Sequence, residues 1–193
     1  MLRNRLELFL RICDTIAYAH HRDVVHRDLK PENIMIGKYR EVFVMDWGIA
    51  KVVADKMVVN FPSKSIFGTP RYFAPEVLRQ EPLDKRSDIF TLGLILQEVV
   101  TLNYAITGAD ETEYMAHILK GQIEPVEHQF NWKIDKYLKA IIQKAQAYRL
   151  EERYQTADEL AEDLRRYLAY RSNSARPENA FGRRLRRLFG YRL

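Results

Sequence analysis

The stretch Ser87–Thr101 constrains the fold most, because it is apolar on nearly every side of the helix that it would form. Its apolar members are Ile89, Leu92, Leu94, Ile95, Leu96, Val99 and Val100. A helix without a polar face is stable only when other elements surround it, so the stretch predicts a helix at the centre of a domain. The longest apolar run, Thr91–Leu102, is short and contains Gln97 and Glu98, which argues against a membrane span.

Four further segments have the pattern of helices that bury one face. Apolar residues recur at three- and four-residue steps from Leu2 to about His20 and from Ile134 to Ala145. A weaker helix is predicted over Glu111–Lys120, and Gly121 would stop it. The last helix opens with a capping box, Thr156 and Glu159, and continues through Leu160, Leu164, Tyr167 and Leu168.

Two short β-prone runs, Asn33–Ile36 and Val42–Met45, flank a turn at Gly37–Arg40 and predict a small hairpin. Between Gly48 and Glu76 the periodicity lapses over a stretch punctuated by proline and glycine. Loops of that length inside a domain are usually functional. The predicted fold is therefore mainly α, with one hairpin and one long loop.

Charge and cysteine content exclude several classes of protein. The chain of 193 residues has a net charge of +5, but the segment Arg171–Leu193 contains seven arginines and one acid, so the remainder is close to neutral. A basic nucleic-acid-binding surface on the fold is therefore not expected. The single cysteine, Cys13, excludes an internal disulfide framework, is expected in the apolar core, and fits a reducing cytoplasmic compartment. The first residues carry too many charges for a signal peptide.

Four motifs follow one another in a fixed order: His26–Asn33 (HRDLKPEN), Met45–Gly48 (MDWG), Gly68–Pro70 (GTP) and Ala74–Glu76 (APE). Their order and spacing resemble the catalytic loop, metal-binding loop and activation segment of eukaryotic-type Ser/Thr protein kinases, including the bacterial receptor-like ones. The resemblance implies the helical C-terminal lobe of a kinase. A second His-Arg-Asp at 21–23 lacks the following Lys and Asn and is expected only to end the first helix.

Phosphoryl transfer requires a group that orients the attacking hydroxyl, a cation near the γ-phosphate and oxygen ligands for Mg²⁺. Asp28 suits the first role and Lys30 the second, as a point charge. Asn33 and Asp46 offer the oxygen ligands for Mg²⁺. The resemblance implies ATP as the phosphate donor, with Met35 under the adenine ring. It favours protein Ser/Thr hydroxyls as substrates, because small-molecule phosphotransferases lack the Ala-Pro-Glu segment.

The remaining candidate residues have regulatory or structural roles. Arg27 can pair with a phosphate, for which Ser65 is the first candidate acceptor and Ser63 the second, although both could be ordinary loop serines. Thr69 is expected to hydrogen-bond Asp28 and Lys30. Trp47 replaces the usual Phe, precedes Gly48, and should lie beside His26 with its N–H bonded. The resemblance implies an ion pair between Glu76 and Arg153, and hydrogen bonds from the loop backbone to Asp88. His20, His21, His117 and His128 are expected at surface or capping positions.

The resemblance covers residues 1–171 and leaves 172–193 as a basic tail. The Gly-rich loop and the strand Lys of a complete kinase do not precede the catalytic loop, because the first glycine is Gly37 and the first lysine is Lys30. We expect either a kinase domain that an N-terminal lobe completes or a catalytically inactive binding module. The tail is either a solvated linker or a contact with an anionic membrane at the cytoplasmic face, through Arg183, Arg184, Arg186 and Arg187.

Overall fold

The computed structural model describes residues 2–48, 51–52 and 70–173, with the backbone alone at 51–52 and 170–173. The described part is mainly helical. Its helices are α1 (Leu2–His20), α2 (Pro75–Leu78), α3 (Lys85–Thr101), α4 (Glu111–Leu119), α5 (Lys136–Ala145) and α6 (Ala157–Asn173). Its strands are β1 (Val24–Val25), β2 (Ile34–Ile36), β3 (Val42–Val44) and β4 (Lys51–Val52), and 3₁₀ turns occur at Pro31–Asn33, Pro70–Tyr72 and Leu150–Glu152.

Helix α3 lies at the centre of the described fold, as its apolar sequence predicts. Thirteen of its 17 residues are buried, and α1 and α5 both pack against it. Asp84 caps its N-terminus by accepting a hydrogen bond from the N–H of Arg86 at 2.7 Å. The helix ends where Leu102 adopts a left-handed conformation with φ of 61°. The central helix is thus fixed at both ends and enclosed along its length.

The outer helices follow their predicted faces. Helix α1 begins and ends at the predicted residues, and it buries Cys13 completely. Burial raises the pKa of the Cys13 thiol well above its ordinary value, consistent with a core residue. At the start of α6, the hydroxyl of Thr156 accepts the N–H of Glu159 at 3.2 Å, whereas the Glu159 carboxylate accepts the N–H of Gln155. The capping box is therefore present, with its second bond shifted by one residue.

Two antiparallel strand pairs complete the described structure. The predicted hairpin is present as β2 and β3, which pair Met35 with Phe43 at their centre. A second pair, Val24 with Val52 and Val25 with Lys51, joins β1 to β4 and was not predicted. Strands of two residues have no periodicity that a sequence could display, which explains why this pair was missed. Among the described helices, none combines the length and apolar character needed to cross a bilayer.

At Gly93, α3 packs closely against the C-terminal end of α5. A Cβ atom at this position would lie 2.8 Å from Cγ of Gln146 and 2.9 Å from Cβ of Ala145. We expect Gly93→Ala to lower the free energy of unfolding by about 1–3 kcal/mol, because the added methyl group overpacks the interface. Urea denaturation of the chain measures the change.

The sign of this effect separates packing from helix propensity. At an open helical position the same substitution would raise stability by about 0.5–1 kcal/mol. Adding Ala145→Gly to Gly93→Ala should recover part of the loss, since it removes one of the two clashing atoms. A stabilising Gly93→Ala variant would contradict the close approach.

Candidate active site

The loop His26–Asn33 is attached to the central helix through one buried carboxylate. Asp88, in the first turn of α3, accepts the backbone N–H of His26 at 2.8 Å and that of Arg27 at 2.9 Å. Arg27 has a φ of 74°, in the left-handed region that costs a side-chain-bearing residue about 1–3 kcal/mol. The hydrogen bonds to Asp88 hold the loop in this conformation. The predicted contact between Asp88 and the loop backbone is present.

A third donor reaches the same carboxylate. Nε2 of His20, the last residue of α1, lies 2.8 Å from Oδ2 of Asp88, and both side chains are buried. The expectation of a surface or capping position is therefore wrong for His20, and also for His128, which is buried, whereas His21 is exposed. The sequence contains a signal for the burial of His20, because this residue continues the buried face of α1 after Cys13, Ile16 and Ala17.

Asp28, Lys30 and Asn33 meet within one turn of the loop. Nζ of Lys30 lies 3.0 Å from Oδ2 of Asp28. The 3₁₀ turn Pro31–Asn33 brings Asn33 back, so that its Nδ2 donates to the backbone oxygen of Asp28 at 2.8 Å and to Oδ2 at 3.2 Å. These bonds engage the amide nitrogen of Asn33 and leave its oxygen as an acceptor.

The hairpin connects this loop to the Asp46 segment. The N–H of Met45 donates to the backbone oxygen of Asn33 at 2.8 Å, which brings Asn33 and Asp46 to the same end of the hairpin. His26 is fully buried below them, with Nε2 2.9 Å from the Met45 oxygen, while Nδ1 accepts the N–H of Asp28 at 3.3 Å. This pair of contacts specifies the Nε2–H tautomer.

Trp47 and Gly48 complete the Asp46 segment. The Trp47 ring centre lies 4.4 Å from that of His26, and its Nε1–H donates to the Val44 oxygen at 2.9 Å, so the indole contacts His26 and has a partner as predicted. A Cβ atom on Gly48 would lie 3.3 Å from Oδ1 of Asp46. Gly48 therefore leaves room beside that carboxylate.

A buried ion pair joins the first turn of α2 to the segment between α5 and α6. Nη1 and Nη2 of Arg153 bind the two carboxylate oxygens of Glu76 at 2.7 and 2.9 Å, and the Arg153 side chain is fully buried. The remaining Arg153 protons bind the backbone oxygens of Ala147, Arg86 and Tyr148, and Ser87 donates to Glu76. The predicted pair is thus present, with every charged group satisfied.

Comparisons with known proteins agree with this geometry. The family model described as the protein kinase domain matches residues 3–174. This chain belongs to the protein kinase family. It is 33% identical over 183 residues to the serine/threonine-protein kinase PknD of Protochlamydia amoebophila, covering 86% of the chain and 19% of that relative. It is 35% identical over 160 residues to the serine/threonine-protein kinase PknB of Mycobacterium leprae, covering 82% of the chain and 25% of that relative.

These comparisons confirm the predicted family and the mainly helical fold of a kinase C-terminal lobe. The chain spans about a fifth to a quarter of the length of the curated relatives it matches. The relatives carry the name serine/threonine-protein kinase, which agrees with the predicted enzyme class.

The donor set of this kinase chain fits Mg²⁺. Asn33 and Asp46 offer the oxygen ligands that Mg²⁺ prefers, and Mg²⁺ commonly uses one or two protein ligands together with phosphate and water. In the described ranges, no cluster of three or more His, Cys, Asp or Glu side chains could hold a metal alone. A metal here would therefore depend on these two side chains and on the nucleotide's phosphates.

The hairpin presents an apolar surface at the site predicted for adenine. Met35 is half-exposed, as is its cross-strand partner Phe43, which lies on the same face of the hairpin. Met45 is also exposed. An exposed apolar cluster of this kind marks a surface that a ligand or another part of a protein covers. The role of Met35 under adenine stays a prediction.

Arg27 is partly buried, and desolvation lowers the pKa of its guanidinium more than the Asp88 charge raises it. Its predicted phosphate acceptors, Ser63 and Ser65, lie outside the described residues, as does Thr69. The same holds for the arginines of the tail, Arg183, Arg184, Arg186 and Arg187. These roles remain predictions.

The Glu76–Arg153 pair allows a stability test. We expect Arg153→Met to lower the free energy of unfolding by about 3–5 kcal/mol, because it leaves the Glu76 carboxylate buried without its cation. Adding Glu76→Gln should cost less than the two single changes together. Urea denaturation gives both values.

Arg166 provides the matched control. It is an exposed arginine on α6 that pairs with Glu162 at 3.0 Å. Arg166→Met should change stability by no more than about 1 kcal/mol, as is typical of a surface ion pair. Equal losses for Arg153→Met and Arg166→Met would show that burial of the pair has no special importance.

Proposed function

We propose that this chain is the C-terminal lobe of a Ser/Thr protein kinase that transfers the γ-phosphate of Mg²⁺-bound ATP to protein Ser/Thr hydroxyls. The observation that carries the proposal is the cluster of Asp28, Lys30 and Asn33, joined by contacts of 2.8 to 3.2 Å on a loop that buried Asp88 holds. Membership of the kinase family and the names of the relatives support it.

Asp28 is suited to receive the substrate hydroxyl. The hydrogen bonds found for its carboxylate in the described residues go to Oδ2, which leaves Oδ1 available as an acceptor. A hydroxyl hydrogen-bonded to Oδ1 would be oriented for in-line attack on the γ-phosphorus. As the new P–O bond forms, the bond to the β-phosphate oxygen breaks, ADP leaves, and the hydroxyl proton passes to Asp28.

Two positive charges would stabilise the transferring phosphoryl group: the ammonium group of Lys30 and the Mg²⁺ that Asn33 and Asp46 would hold. The ammonium group of Lys30, next to Asp28, lies where it can attract an equatorial oxygen of the transferring phosphoryl group. Mg²⁺, when bound with ATP, would neutralise charge on the β- and γ-phosphates. Asn33 and Asp46 would hold it from the end of the hairpin, with ATP's adenine over Met35.

Finer assignments extend the proposal. The kinase lobe would end near residue 171, two residues before α6 ends, and residues 172–193 would form a tail that contacts an anionic membrane surface. Arg27 would bind a phosphate on Ser65 or Ser63 and thereby order the loop. An N-terminal lobe would cover the apolar face of the hairpin. A cytoplasmic location fits the use of ATP and the single buried cysteine.

The repeated His-Arg-Asp tripeptide provides a test with its own control. In the protein translated from the longest reading frame that contains this chain, Asp28→Asn should lower transfer of labelled γ-phosphate from Mg²⁺-bound ATP to a protein substrate by about 10²–10⁴-fold. Asp23→Asn makes the same change in the other tripeptide, where Asp23 is exposed and pairs with Lys85. Its activity should match that of the unmodified protein.

Two results would contradict the proposal. One is an absence of Mg²⁺-dependent phosphorylation across a broad set of protein substrates, which would favour an inactive binding module. The other is equal activity of the Asp28→Asn and Asp23→Asn variants. Circular dichroism of both variants excludes loss of fold as the reason for any difference.

A further inference from the structure

The segment between α4 and α5 carries a cluster of aromatic rings at the surface. The rings of His128 and Trp132 are stacked, with their centres 4.6 Å apart and their planes 12° apart, and the Phe130 ring centre lies 5.8 Å from that of His128. His128 is buried, whereas Phe130 and Trp132 are 62% and 66% exposed. Adjacent large rings that are exposed to this extent are typical of surfaces that bind another molecule.

Backbone hydrogen bonds hold this segment in place. The N–H of Gln129 donates to the oxygen of Thr101, the last residue of α3, at 2.8 Å. The N–H of Asn131 donates to the His128 oxygen at 2.8 Å, and Asn131 has a φ of 56°, a conformation that asparagine tolerates. This turn brings Trp132 back onto His128. The rings are therefore oriented before a partner arrives, which lowers the entropy cost of binding.

A cavity of about 680 Å³ lies beside the rings, and both His128 and Trp132 line it. Nδ1 of His128 accepts the N–H of Phe130 at 3.1 Å, so the ring proton lies on Nε2. Nε2 is buried and has no hydrogen-bond partner in the part of the chain that the structure describes. A buried donor without an acceptor costs about 1–3 kcal/mol. The site therefore favours a ligand that supplies an oxygen acceptor.

The charge around the cavity is predominantly positive. Three lysines line it, namely Lys133, Lys136 and Lys139. Among the described residues, none of the three forms an ion pair within 4.0 Å. Two acids, Glu127 and Asp135, also line the cavity, and Asp135 caps α5 by accepting the N–H of Tyr137 at 2.8 Å. The lysine ammonium groups can therefore pair with the carboxylates of a ligand.

We propose that this site binds an acidic segment of a partner protein, with a large apolar side chain of that segment packed against Phe130 and Trp132. Carboxylates of the segment would pair with the lysines, and one oxygen would accept the Nε2–H of His128. Because Nε2 is itself covered, the acceptor reaches it only as an adjoining side chain moves. Trp132, which is largely exposed, has room to do so.

The shape and the mixed charge of the cavity favour a peptide over other anionic partners. A bilayer surface is broad and would not enter a cavity, and Glu127 and Asp135 would repel the continuous phosphates of a nucleic acid. The acids of a peptide are separate, so they can face the lysines while backbone N–H groups face Glu127. The inference needs neither nucleotide nor phosphoryl transfer and is independent of the proposed function.

Fluorescence anisotropy of short labelled peptides tests the site in the full chain without nucleotide. The probe carries Glu-Phe-Glu between Gly-Ser flanks, and the matched peptides carry Gln-Phe-Gln, Glu-Ser-Glu or Lys-Phe-Lys with the same label. We expect Glu-Phe-Glu to bind about tenfold tighter than Gln-Phe-Gln and Glu-Ser-Glu, because the first of these lacks the charges and the second lacks the apolar contact. Lys136→Gln combined with Trp132→Ala should remove this preference.

Lys38 and Tyr39 provide the matched control. Nζ of Lys38 lies 5.9 Å from the ring centre of Tyr39, which is 77% exposed, so a lysine again accompanies an exposed ring. Lys38→Gln combined with Tyr39→Ala removes the same charge and a ring of the same kind on the turn between β2 and β3. This variant should keep the preference for Glu-Phe-Glu. Circular dichroism verifies that both double variants are folded.

Trp132 also reports where the peptide binds. The chain has two tryptophans, so Trp132 is the only one in a Trp47→Phe background. Binding of Glu-Phe-Glu should change the emission of Trp132 with the same midpoint as the anisotropy titration. Binding without a change in that emission would place the peptide elsewhere and overturn the inference.

Three other outcomes would also overturn it. Equal weakening in the two double variants would indicate general attraction to a chain of net charge +5. Failure of Glu-Phe-Glu to bind more tightly than the matched peptides would show that the lysines do not select acids. Vesicles of anionic lipid or a single-stranded oligonucleotide could instead bind in place of the peptide and lose binding in the variant lacking Lys136 and Trp132. That result would assign the surface to a membrane or to a nucleic acid.

Discussion

The site depends on a carboxylate that the central helix supplies to a loop. Asp88 occupies the first turn of α3, and it accepts the N–H groups of His26 and Arg27 together with Nε2 of His20. A buried carboxylate without donors would be strongly destabilising, so the loop and the helix satisfy each other. Because α3 is enclosed by other helices, the loop inherits the rigidity of the core. The position of Asp28 therefore depends on the packing of α3, to which Asp88 attaches the loop.

The buried Glu76–Arg153 pair is a second way in which this fold stabilises a buried carboxylate. Asp88 is satisfied mainly by backbone donors, whereas Glu76 is bound at both oxygens by one guanidinium. The first arrangement fixes a loop that must present side chains, and the second joins α2 to the segment between α5 and α6. In both cases the loss of one partner would leave a buried charge unpaired, which is costly. Each set of contacts therefore favours a single arrangement of the elements that it joins.

The sequence predicted the features that depend on residues lying close together in the chain. Asp28, Lys30 and Asn33 lie within six residues, so one turn brings them together, and the apolar run of α3 required a central helix. It did not predict the β1–β4 pair, whose two-residue strands have no periodicity, or the partner of His20, which lies 68 residues away. The contacts of the Arg71 guanidinium with two tyrosine rings could not be predicted for the same reason, since the rings are distant from Arg71 in the sequence. Tyr104 and Tyr114 reach it only because α3 and α4 are folded against the turn.

The two His-Arg-Asp tripeptides show why residue identity alone does not define the site. Asp23, like Arg27 in the second tripeptide, lies in the left-handed region, so the backbone is unusual in both. In the first, the His21 side chain is 66% exposed and Asp23 pairs with a surface lysine. In the second, His26 is fully buried and Asp28 is 8% exposed. The difference arises because Asp88 lies beneath the second tripeptide, and burial there converts three common residues into a rigid, solvent-restricted arrangement suited to positioning a reactive group.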